Sequence, residues 1–128
     1  MNTLMAEKPI EKYFQTHDPQ YVAEDAVFID MNRGEETRGR EAIGQMLHYI
    51  YHVAFDAHAE VTNTIITDDK AVLEANFIGK HTGEFAGIPA TGNEVNVPLC
   101  ITYELENELI KVARIYMATG AMMAQLSS

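Results

Sequence analysis

Two polar side chains fall where the strand pattern calls for apolar ones. In AVLEANFIGKH (71–81), Leu73, Ala75, Phe77 and His81 share one face of a strand. A buried imidazole needs hydrogen-bond partners, and at the mouth of a pocket it serves as an acid, a base or a ligand donor. The competing reading is a histidine satisfied by backbone or solvent at a strand end. In LIKVARIYMATGAMM (109–123), a strict two-residue count places Ile110, Val112, Arg114, Tyr116 and Ala118 on one face. A guanidinium cannot discharge itself, so a buried Arg114 requires a carboxylate or other acceptors. Asp30, at the end of the run AVFIDM (26–31), is a plausible partner. Arg114 is then either a ligand-binding group or half of a structural ion pair. Tyr116 and Tyr103 either aim a hydroxyl at a developing oxyanion or pack as core with the hydroxyl at a rim.

Several familiar constellations are missing. No G-x-S-x-G, H-E-x-x-H, P-loop or dinucleotide fingerprint is present. His48 and His52 stand four apart on a helix, a spacing that suits zinc, but no nearby carboxylate or cysteine completes the set, and no metal is expected. Cys100 is the only cysteine, which rules out an intrachain disulfide and fits a cytoplasmic setting. It falls on the polar parity of its strand with no cation beside it, and reads as inert.

The elements that must position these groups follow from periodicity. Ile10, Tyr13 and Phe14 have helical spacing after Pro9, and a short helix over 18–24 opens with Asp18 as cap and Pro19 in its first turn. NRGEETRG (32–39) is polar and reads as a break. REAIGQMLHYIYHVAF (40–55) is the clearest helix, with Ile43, Met46, Leu47, Ile50 and Val53 in one stripe. Strands follow over 59–69, 71–81 and 94–107, and a last one after the turn at Asn107-Glu108. Val95, Val97, Leu99, Ile101, Tyr103 and Leu105 share a face of the third of these. Met117, Met122 and Met123 read as core or interface packing. The glycines of GKHTGEFAGIPATG (79–92) read as a bend between strands, because a strand and not a helix N-terminus follows.

Helices first and an antiparallel meander after, each strand apolar on one face, make an α+β domain over 1–128. Its single sheet curves around helices on the concave side. The hollow left there is the natural site for a small, mostly apolar molecule, with Phe28 and Phe77 among its walls. The length of 128 residues suits one core. The net charge of −10 with scattered bases disfavours nucleic acid and anionic membranes as partners. No apolar stretch is long enough to span a bilayer, and MNTLMAEKPIEKY does not read as a signal peptide.

ETRGREAI (36–43), GKHTGEFAGIPATGNEV (79–95) and ARIYMATGAMMAQL (113–126) together resemble the SnoaL-like polyketide cyclases of the nuclear transport factor two-like superfamily. The resemblance implies a cystatin-like, cone-shaped α+β barrel that forms homodimers through its sheet. It also implies aldol ring closure on a carbonyl-bearing molecule without metal or cofactor. On this pattern His81 and Asp30 are the candidate acid/base groups, with Tyr116 and Arg114 orienting oxygen. Tyr103, Phe28 and Phe77 would contact the ligand. The family's R-x-Y-x-D run reads Arg114-Ile115-Tyr116-Met117-Ala118, with alanine where the acid/base aspartate is expected. The resemblance therefore leaves two readings, a cyclase or isomerase using other groups and a binding protein without catalysis.

Overall fold

The computed structural model describes residues 8–127. The N-terminal segment MNTLMAE lies outside them. Helix α1 (Pro9–Thr16) starts with the Lys8 amide donating to the Glu11 carboxylate at 2.9 Å, and it buries Ile10, Tyr13 and Phe14. It ends at His17, whose φ of 53° lets its N–H reach the Tyr13 carbonyl at 2.7 Å. The helix expected over 18–24 shrinks to a single 3₁₀ turn (Pro19–Tyr21), capped by Asp18 accepting from the Gln20 amide. Strand pairing claims the chain from residue 22 onward.

The strands are β1 (Val22–Asp30), β2 (Glu35–Arg38), β3 (Phe55–Ile66), β4 (Lys70–His81), β5 (Glu94–Glu106) and β6 (Leu109–Met117). They form one curved, unclosed sheet in the order β2-β1-β6-β5-β4-β3. β1 and β6 run parallel and all other neighbours antiparallel, so the sheet is not the purely antiparallel one expected. The polar stretch 32–39 is no break throughout, since β2 pairs Thr37 with Phe28 at the sheet's edge. Helix α2 (Arg40–His48) continues as a π-helix (Tyr49–Ala54), and α3 (Thr119–Leu126) follows β6 where the sequence reading ran the strand on.

The core joins one face of the sheet to the helices. Leu73, Ala75, Phe77 and His81 of β4 are buried together, as are Val95, Val97, Leu99 and Tyr103 of β5. β6 departs from the strict two-residue count. Leu105 pairs with Ile110 but Glu104 pairs with Val112, so Lys111 is an extra residue that bulges out. Beyond the bulge, Ala113, Ile115 and Met117 lie opposite Tyr103, Ile101 and Leu99 on the core face. Arg114 and Tyr116 lie opposite Thr102 and Cys100 on the outer face. One inserted residue flips every side chain after it.

Candidate functional site

The concave face holds a cavity of about 560 Å³. Its walls come from four directions. The sheet supplies Phe28, Phe77, Leu99 and Ile101, and α2 with its π-helical extension supplies Met46, Ile50 and Tyr51. Helix α3 adds Met122 and Met123, and the loop between β4 and β5 adds Phe85 and Ala86. Phe55 stands centrally, with its ring 5.1 Å from Phe77 and 5.1 Å from Phe85, both edge-on. Polar groups gather at the exposed mouth, namely Asp30, Asn32, Arg33, Glu35, Thr37 and Thr119.

Asp30 ends β1 on the same parity as Phe28. Its Oδ1 accepts the Asn32 amide at 2.9 Å, and no cation pairs with it among the described residues. Glu35, the other carboxylate at the mouth, is tied to Arg33 at 3.3 Å. Asn32 fastens this rim to the end of β6, since its Nδ2 donates to the Met117 carbonyl at 2.9 Å and its Oδ1 accepts the Met117 amide at 3.1 Å. The sequence reading passed over Asn32, Tyr51 and Phe85. Only the turn after β1, the π-helix and the loop hairpin bring them to the cavity.

The predicted site residues divide. Asp30, Phe28 and Phe77 line the cavity. Arg114 does not, and it pairs with Glu104 rather than Asp30, at 2.6 Å on the outer face, where both side chains are partly exposed. The hydrogen bond from Arg114 holds the Glu104 carboxyl below its usual range. Tyr116 is 46% exposed on that same face. Both moved because of the bulge in β6. Tyr103 keeps the expected parity but is covered by α1, with its ring 5.6 Å from Phe14 and 6.2 Å from Tyr13. Burial pushes its hydroxyl well above the ordinary tyrosine value.

His81 is fully buried and lies outside the cavity lining. Its ring rests on Phe55 at 5.2 Å. The Thr91 amide donates to Nδ1 at 3.2 Å, and the Thr91 hydroxyl lies 2.9 Å from the same nitrogen. Nε2 has no partner. The residues after His81 close the same corner. Thr82 Oγ1 donates to the Val53 carbonyl at 3.0 Å, and the Thr82 and Gly83 amides donate to the Ala54 carbonyl at 2.9 and 3.0 Å. These bonds satisfy carbonyls that the end of the π-helix leaves open. A Cβ on Gly83 would lie 2.5 Å from the Val53 oxygen, so the approach requires glycine. The loop then turns at Ala86-Gly87, both at positive φ, between Phe85 and Ile88, which exchange two backbone hydrogen bonds. The glycine-rich stretch is thus a bend, and the bend builds one wall of the cavity.

Among the described residues, no three histidine, cysteine, aspartate or glutamate side chains converge as a metal site. Burial and the nearby Glu74 raise the Cys100 thiol, which keeps it protonated. No described helix is long and apolar enough to cross a membrane.

The sequence matches the SnoaL-like polyketide cyclase family over residues 14–126. The chain belongs to that family. A Jannaschia protein described as a SnoaL-like polyketide cyclase superposes with a TM-score of 0.82 at 19% identity, covering 94% of this chain and 90% of its own. TsrD from Streptomyces laurentii gives 0.74 at 20% identity, over 92% and 89%. A Catenulispora acidiphila protein with a ketosteroid isomerase-like fold, solved with trimethylamine, gives 0.74 at 17% identity, over 96% and 95%. At these identities the likeness concerns the fold. No curated protein matches the chain. Ala118 is exposed at the N-cap of α3, between the cavity-lining Met117 and Thr119.

Proposed function

We propose that this SnoaL-like protein takes a small, mostly apolar, carbonyl-bearing molecule into the 560 Å³ cavity and that Asp30 is its acid/base group. The observation that carries this reading is an apolar chamber whose mouth holds one carboxylate, Asp30, with no ion-pair partner among the described residues. In an intramolecular aldol closure, Asp30 removes a proton from the carbon next to a carbonyl. The enolate carbon attacks a second carbonyl of the same molecule, and the resulting alkoxide takes a proton back. Thr37 and Thr119 place hydroxyl donors at the same mouth for the oxygen that gains charge. Lyase or isomerase chemistry would begin with the same proton abstraction.

Asp30→Asn keeps the shape of the mouth and removes the base. Cyclisation of a poly-β-ketone ester is expected to fall by about 100-fold or more, with binding of the ester retained. Unchanged turnover in Asp30→Asn would remove Asp30 from the mechanism. The second reading, a binding protein without catalysis, is favoured by Ala118. Mass spectrometry that finds a bound molecule released unaltered, together with no turnover by the parent protein, would establish it. Association as a homodimer through the outer face of the sheet belongs to the same proposal. It is supported by the exposed apolar surface of Tyr116 and Ile65, the latter 58% exposed, and light scattering reads the mass directly.

A further inference from the structure

A second hollow of about 440 Å³ lies between the end of α1, helix α2 and strand β3. Four of the chain's five histidines line it, His17, His48, His52 and His58, above an apolar floor that includes Phe14 and Leu47. Tyr51 is the one residue that lines both this groove and the 560 Å³ cavity. On the groove side the His17 ring stacks on it at 4.3 Å and 19°. On the cavity side Phe77 stands 5.4 Å away.

The π-helix explains the placement. On α2 and its π-helical extension, Met46 and Ile50 face the cavity, whereas Leu47, His48 and His52 face the groove. A regular α-helix would bring Tyr51 beneath Leu47, four residues earlier. Tyr51 instead falls in a π-helical stretch, whose turns hydrogen-bond five residues apart, and it lines both hollows. The ring therefore stands across the boundary between the two rows. Burial pushes the Tyr51 hydroxyl up to about 12 and the His17 imidazole down to about 4, so the stacked pair is uncharged near neutral pH.

We propose that the Tyr51 ring is the partition that sets the maximum length of ligand the cavity accepts, and that removing it joins the cavity to the histidine-lined groove. The proposal rests on the reading of the cavity as the ligand site. The bound molecule is a carbonyl compound with an apolar tail that ends against Tyr51. In an opened variant the tail crosses onto Phe14 and Leu47, and any polar end of it meets the ring nitrogens of His48 and His52.

The test is calorimetric binding of a ladder of aryl alkyl ketones, from butyrophenone to dodecanophenone. In the parent protein the affinity is expected to rise about fourfold per methylene, then to stop or fall once the tail meets Tyr51. Tyr51→Ala, and Tyr51→Leu as a milder replacement, should carry the rise on to longer ketones. Tyr51→Phe, which keeps the ring, should retain the parent limit. In Tyr51→Ala, long ketones should shift the ring-proton resonances of His48 and His52 while short ones leave them in place. Circular dichroism verifies that each variant is folded. An unmoved limit in folded Tyr51→Ala and Tyr51→Leu overturns the partition. So does a parent protein whose affinity keeps rising along the whole ladder. In both outcomes the shorter ketones still bind and the cavity reading stands, whereas no binding by any ketone to the parent removes both.

Discussion

Two corners of the concave face carry a polar residue on an apolar strand, and they were built differently. At the end of β1, Asp30 opens onto the cavity mouth with one oxygen on the Asn32 amide and no ion-pair partner among the described residues. At the end of β4, His81 is sealed by Thr91, Phe55 and the loop that follows, with its Nε2 left unpartnered. The difference lies in what occupies the adjacent space. After β1 the chain makes a tight turn into β2 and leaves the carboxylate accessible. After β4 it makes an excursion of a dozen residues that folds back over the π-helix and fills the corner. A polar residue on an apolar face therefore becomes available for chemistry, or is consumed by structure, according to the next loop.

The sharpest way to break this contrast is to truncate both residues. His81→Ala should cost about 3 kcal/mol of stability, from the void left beside Phe55 and the stranded Thr91 amide. Asp30→Asn should change stability by about 0.5 kcal/mol or less. Denaturant unfolding of the two variants measures both values, and equal losses would erase the distinction. His81→Phe should recover part of the loss, because it fills the void and removes the unpaired nitrogen.

His17 is an intermediate case, half-buried at the edge of the groove, and it provides a pH test. Its folded value, about 4, lies below the ordinary 6.5, with burial the larger cause and His52 the second. Between those two values the unfolded chain holds a proton that the folded protein refuses. Stability should therefore fall on acidification from 6.5 toward 4, by up to about 1.4 kcal/mol per pH unit. His17→Asn keeps a residue that tolerates the left-handed cap and should flatten that slope in thermal melts across the window. An unchanged slope would assign the acid sensitivity elsewhere.

Smaller effects sharpen the account of the mouth and of the outer face. Ala118 occupies the N-cap of α3 and offers no side-chain acceptor. Ala118→Asp should raise stability by about 1 kcal/mol through capping, visible as a higher Tm. The same variant tests the binding-protein reading, which expects cyclisation to appear where the parent has none. Arg114→Ala should cost only about 0.5 kcal/mol, since its pair with Glu104 is partly exposed, and it should leave ketone binding alone. A large loss of binding would return Arg114 to the site.

Much of this protein is determined locally and can be read in one pass along the chain. The start of α2, the alternation of β4 and β5, the positive-φ turn at Asn107-Glu108 and the family motifs all rest on neighbours a few residues apart, whereas the last residue of the expected α2 stripe, Val53, is exposed. Phe77 follows from that alternation, whereas Phe28 and Asp30 came with the family resemblance, and all three line the cavity. β6 shows where local information stops. Ile110 and Val112 on one parity, and Ala113, Ile115 and Met117 on the other, are all apolar, so periodicity supports either face. Pairing with β5 decides, by placing the bulge at Lys111 and turning Arg114 and Tyr116 outward. The π register that sets Tyr51 between two hollows, the sealing of His81 and the arrival of Phe85 at the cavity are likewise tertiary outcomes. Each depends on a contact between residues distant in sequence, and backbone pairing and the filling of space are settled only when those segments meet.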